Sequence, residues 1–261
     1  MPSIEELVPP EHLLPSYARS RSYTAAGARF LDTAASRGLQ PDHRVLDLGC
    51  GVGRFAVALA GYLDERGSYV GIDTHKRSIK ICRTYVGRKL DNFTFMRVRP
   101  RDAAEFCFPF GTASFDFVFS NSLFTHLLPE VAEHYLLEIG RILRPGGRTL
   151  NTLFVLNPES LALLDSDRSQ QGTTHAFGDG LARVKRIDRP QGWIAHDEGR
   201  VRLWHERAHL QIEEPVRYGP WPGRESSGPG FGGKDIVVAV RARRGIRHLL
   251  ARGASAPGGG G

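Results

Sequence analysis

Residues 45–55 read Val45-Leu46-Asp47-Leu48-Gly49-Cys50-Gly51-Val52-Gly53-Arg54-Phe55. A short apolar run enters three alternating glycines, and apolar residues at helical spacing follow as far as Leu63. This predicts a strand over Arg44–Leu48, a tight turn, and a helix over Phe55–Leu63. Glycine has no Cβ, so such a turn bends sharply and lets the backbone approach a ligand closely. The helix behind it offers free N–H groups to an electronegative group.

Working outward, strand and helix patterns alternate. Tyr23–Arg37 places Ala26, Phe30, Leu31 and Ala34 on one helical face, and Gly38 stops it. Strands are predicted at Ser68–Ile72, Phe93–Val98, Phe115–Phe119 and Thr149–Leu156. Helices are predicted at Arg77–Val86 and Glu130–Leu143, the latter with Val131, Tyr135, Ile139 and Ile142 on one face and Pro145-Gly146-Gly147 behind it. This alternation implies a parallel sheet with right-handed crossovers. Beyond Asn157 the pattern changes. Asp165–Gly180 is polar and turn-rich, and Asp197–Ala208 reads as a helix with Asp197 as its N-cap. Gln211–Tyr218 and Asp235–Ala242 read as two strands joined by a Gly/Pro/Ser-rich loop, hence an antiparallel hairpin at the end of the sheet. The expected organisation is an irregular leader over 1–22 and one α/β domain over 23–245. Within that domain, a core spans about 40–157 and a covering part about 157–234, with a flexible tail at 246–261.

The glycine spacing narrows the ligand. A nicotinamide dinucleotide fingerprint is G-x-G-x-x-G, whereas Gly49, Gly51 and Gly53 give G-x-G-x-G behind the acidic Asp47. Asp73 ends the next strand, in Val70-Gly71-Ile72-Asp73, where a carboxylate can accept from both hydroxyls of a ribose. Asp73 also suits a helix N-cap, and Asp47 can order the loop through backbone N–H groups.

Four segments together resemble the class I S-adenosylmethionine-dependent methyltransferase family. Val45–Ala60 is similar to its motif I and Ile72-Asp73 to its ribose-binding motif. Phe115-Asp116-Phe117-Val118-Phe119-Ser120-Asn121 is similar to motif IV, and Leu143-Arg144-Pro145-Gly146-Gly147-Arg148 to the segment before strand five. Phe124–Glu130, Tyr135–Ile139, Tyr218-Gly219-Pro220-Trp221 and Asp235–Val238 further resemble a bacterial small-molecule subgroup. The resemblance implies a Rossmann-like, three-layer α/β/α fold on a seven-stranded, mostly parallel sheet with an antiparallel C-terminal hairpin strand. It implies S-adenosylmethionine as cofactor, held by Asp47, Gly49, Cys50, Gly51, Gly53, Asp73, Thr74, Ser120 and Asn121, with Tyr23 and Arg29 closing over it. Many relatives place an acidic residue directly after strand three to bind the adenine amino group. Phe93–Arg101 has none, so Asp102 is the substitute. Tyr23 and Arg29 equally suit an ordinary surface helix. Asp116 reads as structural and Cys50 as a small packing residue as well as a cofactor contact.

The implied reaction is methyl transfer to an oxygen or nitrogen of a small-molecule acceptor, in bacterial secondary metabolism. His126, just after strand four, is the candidate general base; its alternative is a cofactor contact that moves no proton. His175, His196 and His205 lie in the covering part, with His205 expected on a helix surface. Tyr218 and Trp221 suit either a substrate wall or core packing.

Other classes fit less well. The formal net charge of +7 suits a nucleic-acid partner, but only five of 35 basic residues are lysine, and the charge is dispersed outside Arg241–Arg252. An arginine preference of this kind reflects compositional bias. An RNA or protein methyltransferase would want an appended domain or a concentrated basic face. A protein of this fold can also bind the cofactor and act as a cyclase or binding module. Cys50, Cys82 and Cys107 have neither metal-ligand nor disulfide-framework spacing, so no metal is expected. No apolar run reaches membrane-spanning length. The acidic N-terminus does not read as a signal peptide, and a cytoplasmic setting is expected. A homodimer is left open.

Overall fold

The structure is a computed structural model that describes residues 2–19, 22–166, 171–225 and 231–243. The 246–261 tail and most of the basic Arg241–Arg252 segment lie outside the described residues. In chain order, α1 (Ile4–Leu7) and α2 (Ser22–Ser36) precede β1 (Arg44–Leu48), α3 (Arg54–Leu59), β2 (Ser68–Asp73), α4 (Lys76–Cys82) and β3 (Phe93–Arg97). Next come β4 (Phe115–Ser120), α5 (Pro129–Ile142), β5 (Leu143–Leu153), β6 (Val155–Leu156) and α6 (Pro158–Leu164). The chain continues through β7 (His175–Phe177), β8 (Ala182–Val184), β9 (Ile194–Asp197), α7 (Glu198–Arg207), β10 (Leu210–Ile212) and β11 (Asp235–Arg241).

Seven strands form one sheet in the order β10-β11-β5-β4-β1-β2-β3. The β1–β2, β1–β4, β2–β3 and β4–β5 pairs are parallel, and β11 pairs antiparallel with both β5 and β10. The expected seven-stranded α/β architecture and its antiparallel end are therefore present. Both faces of the sheet are buried, as a parallel sheet requires. Val45, Phe117, Phe119, Ile236 and Val238 pack toward one core with α2 and α3. Their neighbours Leu46, Val118, Val237 and Ala239 pack toward the other with α5 and α7. This period of two makes the layers.

Local chemistry sets the helix ends. Pro129 begins α5, where its missing N–H costs nothing. The Asp197 carboxylate caps α7 by accepting from the Arg200 N–H at 2.9 Å, as its sequence position predicts. The Pro145-Gly146-Gly147 segment behaves differently from expectation. α5 already ends at Ile142, and β5 starts at Leu143. Phe115 pairs with Leu143 but Phe117 with Arg148, so the residues between Leu143 and Arg148 bulge from the ladder.

The leader is largely irregular, but Leu7, Leu14 and Ala18 are buried in the α2/α3 core. The turn-rich stretch after β5 contains a second sheet, in the order β6-β9-β8-β7. It covers one end of the main sheet, joined to it through Phe154. The His196 N–H donates to the Phe154 carbonyl at 2.9 Å. Asp235 ties the pieces together. Its carboxylate accepts from the Val155 N–H, the Gly219 N–H and the Trp221 indole at 2.6, 2.6 and 2.7 Å. Trp221 itself packs on Phe154 and Trp193. Burial pushes the Asp235 carboxyl up to about 7, although these donors and Arg224 pull the other way. Among the described residues, no helix is long and apolar enough to cross a membrane.

His205, expected at a helix surface, is 2% exposed. α7 packs this face on α5 and β10, and charged residues occupy the rest of the helix. Burial lowers the imidazole from 6.5 to about 4, while the Val201 carbonyl, 2.7 Å from Nδ1, pulls it back. Between about pH 6.5 and pH 4 the unfolded chain binds a proton that the folded chain refuses, so this group costs stability as pH falls. At ~1.4 kcal/mol per unit, the full cost is roughly 3 kcal/mol. His205→Gln does not titrate there. Its stability relative to the parent should therefore rise by up to that amount as pH falls through the window, as read from urea midpoints. A difference independent of pH would contradict a neutral buried imidazole.

Candidate active site

The site is built at the carboxyl ends of β1, β2 and β4, where open α/β sheets bind ligands. After β1 the chain turns through Gly49, Gly51 and Gly53, with φ of 74°, 55° and 85°. The Gly49 and Cys50 N–H groups both donate to the Ile72 carbonyl, at 2.9 and 3.1 Å. The Gly51 N–H donates to Asp73 Oδ2 at 2.9 Å, and the His75 N–H to Oδ1 at 2.7 Å. The turn is thus pinned to the end of β2. Gly53 needs its missing side chain twice over: φ is left-handed, and a Cβ would lie 3.1 Å from Cys82 Sγ.

A cavity of about 540 Å³ opens over this turn, within the roughly 300–1,000 Å³ of small-ligand sites. Asp47, Gly49, Cys50, Gly51, Asp73, Asn121 and His126 all line it, bringing together seven residues selected from sequence. Asp47 is 3% exposed and accepts from the Tyr69 hydroxyl at 2.7 Å. Burial pushes its carboxyl up to about 7, against that donor. Each Asp73 oxygen accepts one backbone N–H, which leaves lone pairs for further donors. His75, not Asp73, is the N-cap of α4.

His126 is exposed at the end of a 3-10 turn, Phe124–His126. Its Nδ1 lies 2.9 Å from the Gln191 carbonyl oxygen, in the turn before β9. A carbonyl only accepts, so this contact places the proton on Nδ1 and leaves Nε2 as the acceptor.

Five other selected residues lie off the cavity wall. Tyr23 is 2% exposed, and its hydroxyl donates to the Val52 carbonyl at 2.8 Å; it braces the turn from behind. Gly53 is buried behind the turn against Cys82. Ser120 is fully buried and donates to Asn151 Oδ1 at 2.8 Å, because it points into the sheet beside β5. Thr74 and Asp102 are exposed, and Asp102 Oδ1 accepts from the Ala104 N–H in its own turn. Asp116 sits at the opposite end of β4 and holds the Arg44 N–H and Arg144, a structural role. His196 is fully buried and bonds the Phe124 carbonyl at 3.3 Å, while His175 is exposed on β7. Neither is on the wall, and Trp221 belongs to the Asp235 cluster.

Sequence reading missed much of the opposite wall. Tyr17, Phe30, Arg54, Phe231 and Lys234 line it, beside Arg29, which the sequence had singled out with Tyr23 as able to close over the site. A Cβ on Gly51 would lie 3.7 Å from the Tyr17 hydroxyl, so the leader reaches over the turn. The Arg54 guanidinium lies 5.4 Å from both the Tyr17 and Phe30 ring centres. Arg54 was legible in principle, since it directly follows the glycine turn. Phe231 and Lys234 carried no periodic signal.

A pinned glycine turn, a strand-end carboxylate and a cavity over both stand together at one edge of the seven-stranded sheet. Residues 45–147 match the family described as methyltransferase domain. The chain is similar to methyltransferase domains over that segment, which is less than half of its length. It is 34% identical over 113 residues to the O-methyltransferase cnsE of Penicillium expansum, covering 42% of this chain and 37% of that protein. It is 25% identical over 135 residues to a demethylmenaquinone methyltransferase of Bacillus cereus, covering 52% of each. The chain thus spans about half or less of these curated relatives. A SAM-dependent methyltransferase structure from Aquifex aeolicus has the same fold, with a TM-score of 0.55 at 16% identity over 93% of this chain and all of that one.

Asp73→Ala removes the carboxylate from the turn and from the cavity. We expect S-adenosylhomocysteine affinity to fall at least tenfold in a calorimetric titration, because a charged acceptor contributes about 1.5–3 kcal/mol per hydrogen bond. An unchanged affinity would remove Asp73 from the cofactor site.

Proposed function

We propose that this chain is an S-adenosylmethionine-dependent methyltransferase that methylates an oxygen or nitrogen of a small-molecule acceptor, in bacterial secondary metabolism. The observation that carries the reading is one cavity shared by the glycine turn, Asp73 and His126. The residues fit the cofactor. Asp73 offers free lone pairs to a ribose, the turn allows close backbone approach, and Arg54 offers a guanidinium to a carboxylate. When bound, the cofactor supplies an electrophilic methyl group. The name of the demethylmenaquinone relative supports a small acceptor, and that of the O-methyltransferase relative supports oxygen as the acceptor atom.

The chain's own work is positioning and proton removal. Tyr17 and Phe30 hold Arg54 by their ring faces. The turn bonds to Ile72 and Asp73 keep the floor rigid before any ligand arrives. His126 is the proposed base. The Gln191 carbonyl fixes its tautomer, so Nε2 is free to take a proton from an acceptor hydroxyl or amine.

The test is S-adenosylhomocysteine release from the cofactor and a panel of phenols, hydroxy acids and amines. The parent should release it with at least one acceptor. General-base catalysis contributes about 10²–10⁴-fold, so His126→Ala should lower kcat by that order. Its cofactor affinity should change only a few-fold. Equal turnover in variant and parent would remove His126 as base, and no release with any acceptor would favour a binding module of the same fold.

A further inference from the structure

The cavity wall carries three cationic side chains. Arg29, Arg54 and Lys234 reach it from α2, from the first turn of α3 and from the loop before β11. None of the three forms an ion pair among the described residues. The two carboxylates of the wall stand on β1 and β2, and neither forms an ion pair with these three cations. Asp47 is buried under the Tyr69 hydroxyl, and Asp73 holds the Gly51 and His75 N–H groups.

The cations divide by position. Arg54 directly follows the β1 turn and is clamped between two rings, so it stands on the cofactor's side. Arg29 is exposed at the mouth, where it attracts anions without fixing them. Lys234 precedes β11, three strands along the sheet from β1. It is half-buried, and its Nζ donates one N–H to the Phe231 carbonyl at 3.1 Å, leaving two donors unused. Burial, and then the nearby Arg54, lower its ammonium from the ordinary value. A partly desolvated ammonium without a counter-ion is unfavourable, and an anion placed against it relieves both effects. Beside it, Phe231 packs edge-on against Phe30 at 4.9 Å, which gives an apolar wall next to the charge.

We propose that Lys234 selects acceptors bearing a carboxylate, pairing with that group while Phe30 and Phe231 hold the acceptor's apolar body. This rests on the methyltransferase reading above and names the substrate class of that site.

The experiment uses the full chain saturated with S-adenosylhomocysteine, whose binding is measured first by calorimetry. A panel of aromatic carboxylic acids, each matched with its primary amide, is then titrated by ligand-observed NMR. The acids should bind at least tenfold more tightly than their amides. Lys234→Met should abolish that preference, and Lys234→Arg should keep it. Melting temperature and S-adenosylhomocysteine affinity report whether each variant is folded. Amides binding as well as acids, neither set binding, or a preference that survives in folded Lys234→Met would each overturn the proposal. Failure of S-adenosylhomocysteine to bind the parent would instead sink the methyltransferase reading itself.

Discussion

The Asp73 carboxylate is the constraint on which the rest of the site depends. It ends β2 and reaches back to the β1 turn through the Gly51 N–H, while its other oxygen orders the start of α4. The Ile72 carbonyl takes the two preceding N–H groups of the same turn. Three of these bonds fix a turn with three left-handed residues, a conformation that needs support wherever it occurs. Because the turn is fixed, α3 starts in a set direction, and Arg54 is delivered between Tyr17 and Phe30. The same carboxylate that shapes the floor also faces the cavity. One group thus belongs both to the fold and to the cavity wall.

A second buried carboxylate does for the far wall what Asp73 does for the floor. Asp235 is fully buried and joins β6, the Gly219–Trp221 segment and the start of β11. Lys234 is its immediate neighbour, so the position of that ammonium is inherited from the Asp235 cluster. The two carboxylates stand at different strands, with β1, β4 and β5 between them in the sheet. The cavity is the space between one pinned turn and one pinned loop. His126 enters from the side, with its ring held by a carbonyl of the covering sheet's own turn.

The main sheet was legible because its cause is periodic. Strands buried on both faces read as apolar runs, and the helices between them read at a spacing near 3.6, so the parallel order and the antiparallel end followed. The small sheet was hidden because β7 and β8 have three residues each and β6 has two; pairs so short carry no period. His205 was misplaced for a related reason. α7 is so rich in charge that its buried stripe, Val201, Trp204 and His205, barely stands out. The bulge between Leu143 and Arg148 was read as a helix stop, since proline and glycine serve either purpose.

The site divides along the same physical line. Its floor is built from backbone, and backbone that must bend or approach closely demands glycine and a strand-end acid, which leave a mark in sequence. Asp47, Gly49, Gly51 and Asp73 are visible for that reason. Ser120 and Thr74 were drawn in by adjacency to such positions, yet one points into the sheet and the other to solvent. The far wall is built from side chains on Tyr17, Phe30, Phe231 and Lys234, and any backbone will carry a side chain. They come from two distant regions of the chain, residues 17–30 and 231–234, and only the topology brings them together. A wall made this way can change its charge and shape without disturbing the turn. Variation is therefore tolerated in the segments before α2 and β11 and in the α2 residues that reach the cavity, and the constraint sits at the strand ends.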